Sequence, residues 1–202
     1  AAMELEAKRH PGKEIVPAAL LYYHVEDPLI EVNQEPTPEE INAQLLQKLS
    51  QEAPGTFQHS IQVSNLAAEA ARAVGANSLL VRTGALYHDI GKTENPIYFT
   101  ENQSGGISPH TGLSYIESAQ IIKKHVTDGL EIAKHAGLPK NIQEFITTHH
   151  GTSKTGWFYI SYKNEHPGEE IDEELFTYPG PKPTTKEQAI LMLADSTEAA
   201  SH

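Results

Sequence analysis

The stretch ALYHDIGK (residues 85–92) places His88 directly before Asp89 near the end of an apolar segment. The apolar residues recur at helical spacing and predict a helix that stops at Gly91. Asp89 lies one turn after Ala85, on the apolar side of this helix. A buried carboxylate is costly unless it is paired or coordinates a metal. Because Lys92 is the only basic residue close in sequence, we expect groups from elsewhere in the chain to help balance Asp89.

The composition excludes several classes of protein. With 27 Asp and Glu against 15 Lys and Arg, the 202-residue chain has a formal charge of −12, which argues against sequence-independent binding of long nucleic acids. Cysteine is absent and histidine is abundant, at 11 residues, so a transition-metal site must use imidazole and carboxylate ligands. There is no run of about 18 to 20 apolar residues and no signal-peptide pattern. We expect a soluble domain and, from the helical pattern at its end, a piece of a longer protein.

Beyond residue 36 the chain carries helix signals at short intervals. TPEE (Thr37–Glu40) and TTKE (Thr184–Glu187) have the capping-box pattern, in which threonine and glutamate side chains cap the first turn of a helix. Together with hydrophobic periodicity they predict seven helices. The predicted helices span about residues 37–52, 57–74, 77–91, 112–124, 127–136 and 139–150, and a last helix runs from 184 onwards. In the second helix the apolar stripe is formed by Phe57, Ile61, Leu66, Ala70 and Val74.

Three other segments lack this pattern. Residues 1–36 contain β-branched and aromatic runs broken by prolines, which predict one or two strands. Residues 93–111 predict a long loop, and loops of this length are often functional or mobile. The aromatic run WFYISY (residues 157–162) is expected to belong to the core. We therefore predict an all-α helical bundle over residues 37–202 and a short extended N-terminal arm of unassigned role, with a fusion segment as one explanation.

Candidate metal ligands occur at five places in these helices: His59, His88 with Asp89, His125, His149 with His150, and Asp195. Each has an ordinary explanation when it is taken alone. A single histidine on a helix is more often a core or surface residue, and the histidine pair could interact with a helix C-terminus. The joint pattern favours a metal, because imidazoles and carboxylates that meet at helix ends can satisfy one another through a cation. His149, for example, follows the line of Ile142, Phe145 and Ile146 on the apolar face of its helix.

The order H…HD…D, formed by His59, His88 with Asp89, and Asp195, resembles the HD-domain superfamily of metal-dependent phosphohydrolases. Further motifs make the resemblance more specific: EAPGTFQHS, YHDIGK, ENQ, HHGTS, YPGPKP and LADSTEAAS. Together they resemble the cytosolic catalytic domain of membrane-anchored cyclic di-AMP phosphodiesterases over about residues 43–201. The resemblance implies the HD-domain helical bundle and a parent protein anchored in the bacterial inner membrane.

The resemblance also implies a site for two divalent metal ions, with iron or manganese preferred by nitrogen and carboxylate ligands. One ion would be held by His59, His88, Asp89 and Asp195. The other would be held by His125, His149 and His150, with Asp89 bridging the two. A bridging hydroxide would attack phosphorus and convert cyclic di-AMP to the linear dinucleotide pApA.

Four other residues are candidates for substrate contacts. Lys92 lies one turn beyond His88 and could neutralise charge on a phosphate oxygen, although a solvated lysine at a helix end is the ordinary alternative. Thr152 and Ser153 could donate hydrogen bonds to phosphate or ribose, or could satisfy the end of their own helix. Tyr178 precedes a rigid Pro-Gly-Pro turn and could stack on adenine.

Other functions remain open at this point. An HD-GYP cyclic di-GMP phosphodiesterase is disfavoured, because HHGTS and TYPGP depart from its pattern. A nucleotidase with a single metal would not need the three additional histidines. The remaining alternatives are a domain that binds a cyclic dinucleotide without cleaving it and a phosphohydrolase of another nucleotide. The expected partners are cyclic di-AMP and a second copy in a homodimer, with no nucleic acid polymer and no membrane contact by this fragment.

Overall fold

The computed structural model describes residues 38–201. Seven α-helices lie in this part of the chain: α1 (Pro38–Glu52), α2 (Pro54–Ala73), α3 (Ser78–Tyr87), α4 (Tyr115–His135), α5 (Lys140–Thr148), α6 (Gly156–Glu165) and α7 (Lys186–Ala199). No strand occurs between residues 38 and 201, where one isolated bridge joins Lys154 to Thr177. The all-α prediction is confirmed. The predicted arm (1–36) and the capping threonine at position 37 lie outside the described residues.

Two predicted helix boundaries are confirmed by the local geometry. After α2 the chain turns at Gly75, whose φ of 68° lies in the left-handed region that glycine adopts without strain. Helix α3 then begins after Asn77, whose side chain accepts a hydrogen bond from the backbone N–H of Leu80. A third boundary is shifted, because Thr185 rather than Thr184 caps α7 and accepts from the backbone N–H of Gln188.

The segment from 112 to 136 forms one helix instead of the predicted two. Helix α4 starts at Tyr115 because Ser114 and Glu117 form a full capping box. It continues without a break through His125, Val126 and Thr127, since β-branched residues such as valine and threonine lower helix propensity only slightly. His125 and Val126 are buried, so tertiary packing holds the helix together at the point where the sequence suggested an interruption.

Two assignments of residues to the core are wrong. The aromatic run 157–162 forms most of α6, on which Trp157 is 67% exposed and Ile160 is 57% exposed. On α2 the apolar stripe was expected to include Leu66 and Val74, but both are exposed. The helix instead buries mostly small residues, namely Thr56, Ser60, Val63, Ser64, Ala67, Ala68 and Ala71. Small side chains let α2 approach its neighbours closely, and a hydrophobicity pattern undervalues them.

Close backbone contacts bring the turn after α3 against α4. A Cβ atom added at Gly91 would lie 2.0 Å from the carbonyl oxygen of His125 and 2.5 Å from the amide nitrogen of Gly129. Only glycine allows the two chains to approach this closely. The contact therefore sets Asp89 beside His125. None of the helices described by the structure is long and apolar enough to cross a membrane.

The predicted loop 93–111 begins with ordered turns. Three short 3₁₀ helices occupy Ile90–Glu94, Pro96–Tyr98 and Thr100–Asn102. The side chain of Asn102 accepts a hydrogen bond from the backbone N–H of Thr56 (3.0 Å), in the first turn of α2. This contact caps α2 from a distant segment, since the residue before the helix provides no side-chain cap. The loop is thereby fixed beside His59, which lies one turn further along α2.

Candidate metal centre

The structure brings all seven predicted ligands together. Their ligand atoms form two groups that share Asp89, and the atoms of each group lie within 4.8 Å of one another. One group contains Asp89, His125, His149 and His150, and the other contains Asp89, His59 and His88. Asp195 joins the second group, because its Oδ1 lies 3.0 Å from Nε2 of His59 and 3.7 Å from Nε2 of His88. We call His59, His88 and Asp195 the His59 group, and His125, His149 and His150 the His125 group. Asp89 is shared.

Asp89 presents one carboxylate oxygen to each group. Oδ1 lies 3.3 Å from Nε2 of His125 and 3.5 Å from Nε2 of His149. Oδ2 lies 3.2 Å from Nε2 of His88 and 3.7 Å from Nε2 of His59. Because the residue is only 1% exposed, its charge must be balanced within the protein.

The helix backbone orients three of the imidazole rings. In each ring Nδ1 approaches a carbonyl oxygen three residues earlier: His88 to Ala85 (2.7 Å), His125 to Ile122 (2.6 Å) and His149 to Ile146 (2.8 Å). A carbonyl oxygen only accepts hydrogen bonds, so Nδ1 carries the proton in each neutral ring. The lone pair on Nε2 is then directed at Asp89 and its surroundings. Metal-binding histidines have the same arrangement, in which the second nitrogen donates to a carbonyl or carboxylate group.

The polar atoms at the centre of the cluster fit a bound cation. Nε2 of His88 and Oδ1 of Asp89 are buried and have no hydrogen-bond partner among residues 38–201. Nε2 of His125 lies 3.2 Å from Nε2 of His149, and two lone pairs at this distance do not attract each other. Divalent cations would accept all of these lone pairs, and a set of imidazole and carboxylate ligands without thiolates suits iron, manganese or zinc.

The pKa values differ between the two groups. Burial lowers the pKa of His125 to about 3, and burial with the neighbouring imidazoles also lowers the pKa of His150. Both rings are therefore neutral, as a metal ligand must be. Burial alone would lower the pKa of His88, but Asp89 and Asp195 outweigh it and raise this pKa to about 10. A metal bound by the His59 group would therefore displace a proton.

Asp89 and Asp195 are both held as carboxylates. Burial alone would raise the pKa of Asp89, but the positive charges of His88 and Lys92 outweigh it and hold this pKa well below its usual value. Burial alone would also raise the pKa of Asp195, but the hydrogen bond to His59 and the positive charge of the nearby His88 outweigh it and hold this pKa well below its usual value. Both residues can therefore act as anionic ligands.

Lys92 is paired with acidic groups and is not a solvated lysine. Its Nζ lies 2.8 Å from Oδ2 of Asp89 and 2.7 Å from Oε1 of Glu101, and its side chain is 12% exposed. Burial lowers the pKa of Lys92, but the two carboxylates outweigh it and raise this pKa overall. A positive charge is therefore fixed beside the shared ligand.

The cluster opens onto a cavity of about 660 Å³. Its lining includes His59, Asp89, Lys92, His150 and Asp195. A volume of this size lies in the range of small-molecule sites. These four candidate ligands and Lys92 are therefore reachable by a ligand of nucleotide size.

Comparison with known proteins agrees with this geometry. A model of the HD domain matches residues 56–200. The chain belongs to the HD domain family. It is 50% identical over 159 residues to the cyclic-di-AMP phosphodiesterase PgpH of Bacillus subtilis (strain 168) and 48% identical over 159 residues to PgpH of Listeria monocytogenes serotype 1/2a (strain 10403S). Each match covers 79% of this chain and 22% of the relative, so the chain spans about a fifth of the length of these curated relatives.

A solved structure is similar to this HD domain over most of its length. The crystal structure of the L. monocytogenes PgpH HD domain in complex with cyclic-di-AMP matches with a TM-score of 0.74 and 48% identity. The match covers 78% of this chain and 72% of that chain. The family and the all-helical fold expected from the sequence are both confirmed.

The remaining predicted substrate contacts lie next to the His125 group. Thr152 and Ser153 are exposed and are separated from His150 by Gly151 alone. The ring of Tyr178 is only 7% exposed and stacks on the imidazole of His150, with centroids 4.1 Å apart. One face of Tyr178 is therefore occupied by a protein group. Contacts of these residues with a substrate stay predictions.

Sequence reasoning missed two acidic residues of the site. Glu101, in the ENQ motif, binds Lys92 and accepts a hydrogen bond from the hydroxyl of Thr56. Glu198 lies three residues after Asp195 and approaches Nδ1 of His59. The spacing of three residues places Asp195 and Glu198 on the same helix face, and this was the available signal. No comparable signal in the sequence pairs Glu101 with Lys92.

Proposed function

We propose that this HD domain is a metal-dependent phosphodiesterase that hydrolyses cyclic di-AMP to pApA. The observation that carries the proposal is the cluster of seven candidate ligands, Asp89 and the six residues around it, which opens onto a cavity of nucleotide size. The 48% identity to a PgpH HD domain that has been crystallised in complex with cyclic-di-AMP supports adenine dinucleotides as the substrate. The names of the two PgpH relatives support cleavage in addition to binding.

In this proposal two divalent ions, iron or manganese, occupy the cluster. The His59 group would hold one ion, the His125 group would hold the other, and Asp89 would bind both through its two oxygens. The division rests on the distances from each oxygen of Asp89 to the surrounding Nε2 atoms. When bound, the ions supply positive charge that activates water and stabilises the attacking and leaving oxygens at phosphorus.

The reaction consumes one water molecule for each phosphodiester bond that is cleaved. A bond forms between the water oxygen and phosphorus, the bond from phosphorus to the 3′ oxygen breaks, and that oxygen leaves with a proton. Lys92 lies at the cavity with its charge fixed by two carboxylates. We assign it to a non-bridging phosphate oxygen, where a charge-assisted hydrogen bond would stabilise the transition state. Thr152, Ser153 and Tyr178 are proposed to contact phosphate, ribose and adenine.

The same proposal extends to the organisation of the protein. The catalytic unit spans residues 37–202, and residues 1–36 form a separate arm. The parent protein is anchored in the bacterial inner membrane, with this unit in the cytoplasm and able to form a homodimer. Cyclic di-AMP is its small-molecule substrate, and the acidic charge of the chain disfavours polymeric nucleic acid.

The decisive experiment compares the hydrolysis of cyclic di-AMP and cyclic di-GMP by the purified chain with Mn²⁺ added. We expect pApA to accumulate with cyclic di-AMP, little turnover of cyclic di-GMP, and loss of activity on adding a chelator. Tight binding of cyclic di-AMP without any pApA would replace the proposal with a binding module. Faster cleavage of cyclic di-GMP would overturn the substrate assignment.

A further inference from the structure

His59 is oriented differently from the three histidines that use backbone carbonyls. Its Nδ1 lies 2.5 Å from Oε2 of Glu198, a residue of α7 that follows it by 139 positions. Glu198 is 7% exposed, so its carboxylate is largely buried at the edge of the cavity. The Nδ1 atom of His59 is therefore contacted by a buried carboxylate, whereas the Nδ1 atom of His88 is contacted by a carbonyl oxygen of its own helix.

Helix α7 contacts both nitrogens of this one ring. Asp195 approaches Nε2 at 3.0 Å, and Glu198 approaches Nδ1 at 2.5 Å. The two acidic residues are three positions apart, which places them on one face of the helix. The ring is thus held between two carboxylates from a single element, and α2 alone does not determine its orientation.

We propose that Glu198 is a positioning residue for the metal held by the His59 group, an inference that rests on the proposed metal centre. When Glu198 accepts the Nδ1–H of His59, the lone pair on Nε2 is directed at Asp89 and Asp195. A carboxylate partner also makes the imidazole a stronger donor to a metal than a neutral carbonyl partner does. Glu198 touches neither the metal nor the substrate in this role.

The two metals should consequently respond differently to a change at Glu198. The His125 group orients His125 and His149 with carbonyl oxygens of their own helices, and Glu198 has no part in those contacts. Removing the negative charge at position 198 should weaken the metal of the His59 group and leave the other metal unchanged. Loss of such an outer partner typically costs about 10- to 100-fold in metal affinity.

The test is a titration of the chelator-treated full chain with Mn²⁺, followed by calorimetry. Glu198→Gln has nearly the same shape but lacks the charge, and Glu131→Gln removes an exposed carboxylate from α4 as a control. We expect two binding events in the original chain and in the control. In Glu198→Gln one event should weaken by about 10- to 100-fold while the other keeps its affinity.

Each other result is decisive. Unchanged binding of both metals in Glu198→Gln, or equal weakening of both, would overturn the role of Glu198 and leave the proposed phosphodiesterase intact. Absence of any binding in the original chain would overturn the metal centre and this inference together. If Glu198→Gln fails to fold, nuclear magnetic resonance of the original chain loaded with Zn²⁺ decides the matter. It should show a slowly exchanging proton on Nδ1 of His59, and a bare Nδ1 would refute the proposal.

Discussion

The His59 group and the His125 group share Asp89 but differ in construction. The His59 group draws its residues from α2, from the end of α3 and from α7, and its rings contact several charged groups. The His125 group draws its residues from α4 and the end of α5, and its rings contact one another and Tyr178. One half of the cluster is therefore rich in charge, and the other is rich in neutral rings. If the proposed metals bind, the one in the first half would depend on tertiary ion pairs, whereas the one in the second would depend on helix geometry and ring packing.

The largest effect is expected from the residue that the two halves share. Asp89→Asn removes the charge and one of the two oxygens, so both metals should be lost and the rate should fall by at least about a thousandfold. Metal analysis and hydrolysis of cyclic di-AMP measure the two effects. Asp128→Asn, which changes an aspartate paired with Lys124 on α4, is the control. Retention of both metals in Asp89→Asn would show that the carboxylate does not join the halves.

A substitution in the His125 group alone should separate the halves. His125→Gln should remove one metal, retain the other and lower the rate by roughly a hundredfold, because one ion still supplies part of the charge stabilisation. His135→Gln is a matched control, since His135 lies on the same helix, is exposed and also directs Nδ1 at a carbonyl oxygen. Loss of both metals in His125→Gln would mean that the two halves bind cooperatively and that the division is wrong.

A substitution of Lys92 changes the charge beside the His59 group without removing a candidate metal ligand. Lys92→Met should retain both metals and lower kcat/KM by roughly 10- to 100-fold, because a hydrogen bond to a charged group contributes about 1.5–3 kcal/mol. Lys124→Met removes a lysine whose side chain is 63% exposed and should leave the rate unchanged. Steady-state kinetics with cyclic di-AMP makes the measurement. An unchanged kcat/KM in Lys92→Met would assign Lys92 to charge balance alone.

The smallest effect is expected at Tyr178, whose ring packs on His150 of the His125 group. Tyr178→Phe keeps the ring stacked on His150 and should change kcat/KM by less than about twofold, with stability within about 0.5 kcal/mol. Tyr178→Ala removes the stacked ring and should weaken the metal of the His125 group while leaving the other in place. Calorimetric titration with Mn²⁺ compares the two variants. Equal binding in both would show that ring packing does not support that half.

The sequence by itself determined much of the local structure. Caps and glycines located the end of α2 and the start of α3, because these signals act within one turn of a helix. The predicted stop of α3 at Gly91 is wrong, since α3 ends at Tyr87 and Gly91 lies in the 3₁₀ helix that follows. The H…HD…D pattern and three further histidines identified all seven clustered residues, since the chemistry of a metal restricts its ligands to few residue types. The same local signals failed at α4, where burial of His125 and Val126 favours one continuous helix over two.

Only the tertiary structure decided how these residues are paired. Glu198 and His59 are 139 positions apart, and Glu101 approaches Lys92 through a loop that is fixed at Thr56. Which face of α2 is buried also depended on neighbouring helices, which accept small side chains where the pattern favoured larger ones. Local propensities act over a few residues, whereas packing and charge pairing depend on groups that are distant in sequence. For this reason the sequence identified the candidate ligands, whereas only the tertiary structure revealed which distant groups orient them.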